Sequence, residues 1–144
     1  MLAGGKGWLD SGIYKKAEEL GRGDLVKFTE YVPDEMLCPL MCGALAFVFP
    51  SIYEGFGMPP LEAMACGVPV LTTQAASLPE VVGEDAVVTD PYSPEDIAAG
   101  LERLYTDEAL RQRLKAAGPK RAAQFTWERS AEQLYAVYQE ACRE

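Results

Sequence analysis

PSIYEGFGMPPLEAMACGVPVL, residues 50–71, places two carboxylates, Glu54 and Glu62, on either side of a seven-residue gap filled with glycine and proline. Apolar runs flank it, AFVFP at 46–50 and VPVLTT at 68–73. Runs of this kind, β-branched or aromatic and bounded by glycine or proline, read as strands. PPLEAMACG between them reads as a helix that opens at prolines suited to a first turn and stops at Gly67. The unit is strand, glycine turn, helix, strand.

The turn carries chemistry of its own. Gly55 and Gly57 permit dihedrals other residues avoid and let a ligand approach the backbone. A helix N-terminus offers unpaired N–H groups and partial positive charge, which together suit a phosphate. Pro59 and Pro60 have no N–H, so the donors fall to Gly57 and Met58. Glu62 is expected on the first helical turn, where it can accept hydrogen bonds from adjacent hydroxyls, and Glu54 on the loop across the phosphate position. Two acceptors around one phosphate site suit a sugar nucleotide, ribose on one side and sugar on the other. The same spacing also fits an ordinary strand-to-helix loop in which Glu62 only favours its helix N-terminus. Spacing alone leaves both open.

Outward from this unit, VKFTEYV at 26–32 and AVVTD at 86–90 are further strand candidates. DSGIYKKAEELG reads as a helix capped by Asp10 and Ser11 and closed at Gly21, and SLPEVVG as a short one. The segment from Ser93 to Gly118 reads as two helices broken near Thr106 and Asp107, opening with a capping box at Ser93 and Asp96. A last long helix starts after its cap Thr126, with Ala131, Leu134, Tyr135 and Tyr138 on one face. Strands alternating with helices predict an α/β fold with a Rossmann-like parallel sheet covered on both faces. Ligands of such sheets bind beyond the carboxyl ends of the strands, where residues 51–57 fall.

The whole chain sets bounds on function. Its 144 residues suffice for one domain with a core, so 1–144 reads as a single domain. A net charge of −9 disfavours nucleic acid as a partner. There is no His, hence neither the commonest general base nor the commonest metal ligand. No apolar run is long enough to span a bilayer, and the first residues lack the basic and apolar blocks expected of a secretory signal. A cytoplasmic location is expected. Cys38 and Cys42, four apart, read either as half of a metal site or as small buried hydrophobes. No second close Cys pair completes a four-ligand set, so the buried reading is preferred.

FVFPSIYEGFGMPPLEAMACGVPVLTT closely resembles the E-x7-E signature of the retaining family-4 glycosyltransferases, which have the two-lobed GT-B fold. The resemblance continues through SLPEVVGEDAVVTDPYSPEDIAAGLERLYTDEALRQRLKAAG and FTWERSAEQLYAVY, and upstream through GGKGWLDSGIYKKAEELGRGDLVKFTEYVPDEML. It covers essentially the whole chain and is similar to the C-terminal, donor-binding lobe. The resemblance implies transfer of a hexose from a nucleotide-diphosphate sugar, with retention, when the domain is joined to an acceptor lobe. It implies that Glu54 contacts the transferred sugar as a catalytic group and that Glu62 binds the ribose. Backbone amides of Phe56, Gly57 and Met58, with Gly55 beside them, would hold sugar and diphosphate. Tyr31, Val32 and Pro33 would form the loop near the base. No Asp-x-Asp clamp is present, which fits a reaction without metal or other cofactor.

Departures from the family pattern carry expectations too. The family commonly has Gly at Glu30 and an acid at Leu45. Its donor lobe opens with a further strand and helix bearing an Arg and a Lys; Lys6 reads as a loop lysine rather than that cation. In the family's 3-2-1-4-5-6 sheet the first strand is central, so a chain lacking it is expected to form a homo-oligomer or to join a separate acceptor-lobe chain. Trp127, Leu134, Tyr135 and Tyr138 would then be an uncovered patch. The alternative function is a non-catalytic sugar-nucleotide-binding module or an oligomeric scaffold.

Overall fold

Three short strands form a parallel sheet in the order β1 (Phe47–Phe49), β2 (Val70–Thr73), β3 (Val87–Thr89). They belong to a computed structural model that describes residues 1–5, 11–21 and 25–143, with Ser11 described by its backbone only. Lys6 and Asp10, named above as loop lysine and helix cap, lie outside the described residues. The chain divides into two compact units, Met1–Leu40 and Met41–Glu144.

In the second unit Phe47 pairs with Val70 and Leu71 with Val87, so the apolar runs around the glycine turn are neighbouring strands. Helix α3 (Met58–Ala65) links β1 to β2, and α4 (Leu78–Val82) links β2 to β3. All four residues of β2 are buried. Successive strand residues face opposite sides, and the core divides accordingly. Val70 joins Met64, Val81 and Val82 in one cluster. Leu71 joins Val87, Leu104 and Leu114 in the other. Helices therefore cover both faces, which is the Rossmann-like architecture that the alternating pattern predicts.

Two further helices, α5 (Pro94–Thr106) and α6 (Glu108–Ala122), meet at Asp107, whose carboxylate accepts from the Leu110 N–H at 2.8 Å. The break falls where the sequence places it. Arg111 fastens the joint by donating to the Leu104 and Tyr105 carbonyls, both at 2.7 Å. The capping box at the start of α5 forms by half. Ser93 accepts from the Asp96 N–H at 3.1 Å, but the Asp96 carboxylate takes the Asp90 N–H instead of the reciprocal bond. The final helix α7 (Trp127–Ala141) is capped by Thr126, which accepts from the Arg129 N–H at 3.1 Å. No residue of α7 is buried, and Trp127 is 82% exposed. No helix among the described residues is long and apolar enough to cross a membrane.

The first unit corrects one expectation. Residues 26–32 form no strand but a single parallel bridge, Leu2 to Phe28. Glu30 explains the stop: its φ of 55° is left-handed and cannot extend a strand. Helix α1 (Ser11–Glu19) ends at Gly21 as its sequence suggests, and Tyr14 packs its ring 4.4 Å from that of Phe28. Helix α2 (Asp34–Cys42), at the division between the units, is short and contains Pro39. Cys38 and Cys42 lie on it and are exposed, contrary to the buried role expected of them. The Cys42 thiol donates to the Cys66 carbonyl at 4.0 Å. Leu45, ahead of β1, is also exposed.

Candidate functional site

The loop from Pro50 to Gly57 leaves the carboxyl end of β1 and enters α3, so Glu54, Gly55, Phe56, Gly57, Met58 and Glu62 are brought onto one turn and helix. Gly57 is the N-cap, with φ 107° and ψ 49°. The helix begins at Met58, ahead of the prolines rather than at them. Two consequences follow. Met58 is the only residue among the first three with an N–H, because Pro59 and Pro60 have none. Glu62 becomes the fifth helical residue and stands one turn in, exposed, not on the first turn. Gly55 differs from expectation: only Gly57 of the pair has a positive φ. A Cβ on Gly55 would meet nothing within 4 Å, so its backbone is open to approach.

Hydroxyl groups shape this loop, and the sequence reading did not single them out. Ser51 donates to the Glu54 carboxylate at 2.9 Å and has the Tyr53 carbonyl at 3.0 Å as a second acceptor. Glu54 is thereby held half-buried beside its own loop. Thr73, at the end of β2, donates to the Ser51 carbonyl at 2.5 Å, and Thr72 to the Phe49 carbonyl at 3.1 Å. Ser77 donates toward the carbonyls of both Glu54 and Phe56. The only signal available beforehand was the paired threonine at the carboxyl end of a strand.

Phe56 turns its ring onto Phe125, edge to face at 5.7 Å, and the Arg121 guanidinium lies 5.2 Å from the centre of the Phe125 ring. Arg121 is committed elsewhere: its Nε donates to the Val81 carbonyl at 2.9 Å and its Nη2 to that of Glu80. It closes the end of α4 and is held there by these bonds. A cleft of about 270 Å³ opens at this elbow, with Arg129 and Ser130 on its α7 side.

Tyr31, Val32 and Pro33 belong to the first unit. They follow the left-handed Glu30 and, with Met1, Thr29, Met36 and Leu40, line a hollow of about 270 Å³. Tyr31 is strongly exposed and Val32 half-buried.

A parallel sheet whose glycine turn opens a helix beyond a strand's carboxyl end is the Rossmann-like arrangement. The chain belongs to the glycosyl transferases group 1, whose family model matches residues 1–121. It has the C-terminal type of domain of these GT-B enzymes. It is 41% identical over 138 residues to O-antigen chain mannosyltransferase B of Escherichia coli, covering 96% of this chain and 36% of that protein. A sucrose-phosphate synthase from Thermosynechococcus elongatus superposes with a TM-score of 0.84 at 30% identity, over 99% of this chain and 38% of that one. Anabaena HepE, solved in complex with UDP and glucose, superposes with a TM-score of 0.81 at 23% identity, over 97% of this chain and 40% of that one. The chain thus spans little more than a third of the length of the mannosyltransferase it matches.

Proposed function

We propose that the chain is the donor-binding domain of a retaining hexosyltransferase, active when joined to an acceptor lobe. The observation that carries this reading is the start of α3. A left-handed Gly57 opens the helix, Met58 has the one N–H among its first three residues, and Glu54 is tethered three residues before the cap. In this reading the bond from the anomeric carbon to the diphosphate oxygen breaks as that carbon bonds to an acceptor hydroxyl oxygen, the hydroxyl proton passes to the leaving phosphate, and negative charge grows on the leaving nucleoside diphosphate. Oriented amides of Phe56, Gly57 and Met58, with Gly55 beside them, stabilise that charge. Glu54 contacts the sugar at the reacting centre. Glu62 accepts hydrogen bonds from the ribose hydroxyls, and Tyr31, Val32 and Pro33 flank the base. The sugar nucleotide is a substrate, and no metal or other cofactor takes part.

Two of the similar proteins support the choice of ligand. One is called a mannosyltransferase, which makes mannose the first hexose to try, and one was solved with UDP and glucose. Association with a second copy or with an acceptor-lobe chain belongs to the same reading. It is supported by β1, which among the described residues pairs on one side only within its sheet, and by the exposed apolar face of α7. A cytoplasmic location belongs to the same reading, with sugar nucleotides as the donors.

The test is calorimetric titration with UDP, GDP and ADP, with the mass in solution measured in the same buffer. Saturable binding of one of them is expected. A folded protein that binds none of the three overturns the reading and leaves a scaffold.

A further inference from the structure

Ser77 occupies the N-cap position of α4, yet its side chain makes no capping bond. Its hydroxyl instead points at the glycine loop and donates toward two carbonyls, Glu54 at 3.0 Å and Phe56 at 2.9 Å. One proton shared between two acceptors keeps both carbonyls gathered on a single oxygen. A trans peptide directs its C=O and the following N–H in opposite directions, and no peptide among the described residues is cis. Gathering the carbonyls of residues 54 and 56 on Ser77 therefore turns the N–H groups of Gly55 and Gly57 away from it.

Those two amides belong to residues without side chains; Gly55 is exposed, whereas Gly57 is buried against Leu78. A Cβ on Gly55 would stand in open space, and Gly57 opens α3, whose axis adds partial positive charge. Backbone N–H groups presented together in this way form an anion-binding concavity. Ser77 is itself well anchored: it is half-buried, and Leu78 next to it is fully buried.

We infer that Ser77 is a positioning residue that aims the Gly55 and Gly57 amides at the diphosphate of the donor. The inference rests on the reading above, in which residues 55–58 hold the donor's phosphates. It adds a residue 20 positions beyond Gly57 in sequence that touches no ligand and acts through the loop.

Inorganic pyrophosphate is the probe, because it carries the diphosphate chemistry without a base or a sugar. Its binding is followed through the backbone amide resonances of the ¹⁵N-labelled chain. In the wild-type chain the Gly55 and Gly57 resonances are expected to shift saturably. In Ser77→Ala the apparent Kd is expected to rise about three- to tenfold, the scale of one positioning hydrogen bond, and Ser77→Thr restores it. A purely structural serine would not move those two resonances selectively. If Ser77→Ala fails to fold, Ser77→Cys replaces it, since a thiol is a weak donor. Unchanged pyrophosphate affinity in a folded variant overturns the inference, as do shifts that bypass Gly55 and Gly57. If nucleotides still bind and Glu62→Ala still weakens them, the donor-site reading survives that loss. If neither pyrophosphate nor any nucleotide binds, both fall together.

Discussion

A Cβ placed on Gly57 would stand 2.7 Å from Cδ2 of Leu78, closer than carbon atoms tolerate. Leu78 is fully buried and cannot swing aside freely. The same residue has a φ of 107°, where side chains are strained whatever the space. Gly57→Ala is therefore expected to destabilise the chain by about 2–4 kcal/mol, from overpacking and backbone strain together. Adding Leu78→Ala should remove the clash while leaving the dihedral strain and introducing a cavity. Denaturant titration checks this, and a Gly57→Ala chain as stable as wild type contradicts the left-handed cap.

The two glutamates should separate by ligand. Glu62→Ala is expected to weaken the nucleoside diphosphate about tenfold or more, the scale of hydrogen bonds to a charged acceptor. Glu54→Ala should leave the nucleotide nearly unaffected and erase the difference between nucleotide and nucleotide sugar. Ser51→Ala should act in the direction of Glu54→Ala but more weakly, and have no further effect once Glu54 is gone. Calorimetry on the single and double variants reads all of these, and equal affinities for wild type, Glu54→Ala and Glu62→Ala reject the assignment.

Glu30 offers the opposite experiment to Gly57. It is a non-glycine residue at φ 55°. Left-handed backbone costs an ordinary residue roughly 1–2 kcal/mol, and glycine returns part of that through its freer unfolded chain. Glu30→Gly should gain about 0.5–1 kcal/mol, and Glu30→Val should lose more than that. Thermal denaturation of the pair decides it, and a Val variant as stable as the Gly variant excludes the strained conformation.

The parts of the fold legible in the sequence are those governed by near neighbours. The break at Asp107 depends on a cap three residues from its donor, and β1, β2 and β3 on short apolar runs. Glu30 ended the expected strand at 26–32 through a dihedral that composition does not reveal. Helix α2 was hidden by Pro39 inside it and by its length of nine residues. The two glutamates and the glycine turn stood out, but the groups that hold them did not. Ser77 lies 21 and 23 residues from its carbonyl partners, and only the folded sheet brings β2's exit beside β1's exit.

Acid should act on the α5–α6 joint. Glu108, in the first turn of α6, is held below its ordinary 4.5, first by the Gln112 side chain, which donates at 2.6 Å, then by the Arg111 hydrogen bond and charge. A folded value below the unfolded one means that the contribution is present above 4.5 and is lost as pH falls through the lowered value. Glu108 is exposed to solvent, so the effect is local. Side-chain NMR titration should find Glu108 below 4.5 and find it moving back up in Gln112→Ala. A Glu108 that titrates at its ordinary value in the wild-type chain contradicts these contacts.

The last helix separates stability from association. None of its residues is buried, although Trp127, Leu134, Tyr135, Val137 and Tyr138 are all large and apolar and all exposed. Three aromatic side chains can bury on the order of 500 Å² together, a large share of the roughly 800 Å² per partner of a standard interface. A charge placed in that face leaves the contacts of this chain intact, so Leu134→Glu should change its unfolding free energy by no more than about 0.5 kcal/mol. If the face is where a second copy docks, the same variant should be monomeric at concentrations where wild type is not. Sedimentation of both proteins alongside their denaturation curves reads the two effects independently. A wild-type chain that is already monomeric at high concentration rejects self-association and leaves this face to an acceptor-lobe chain. A Leu134→Glu variant that unfolds far more easily shows instead that α7 packs within the domain more tightly than its exposure indicates.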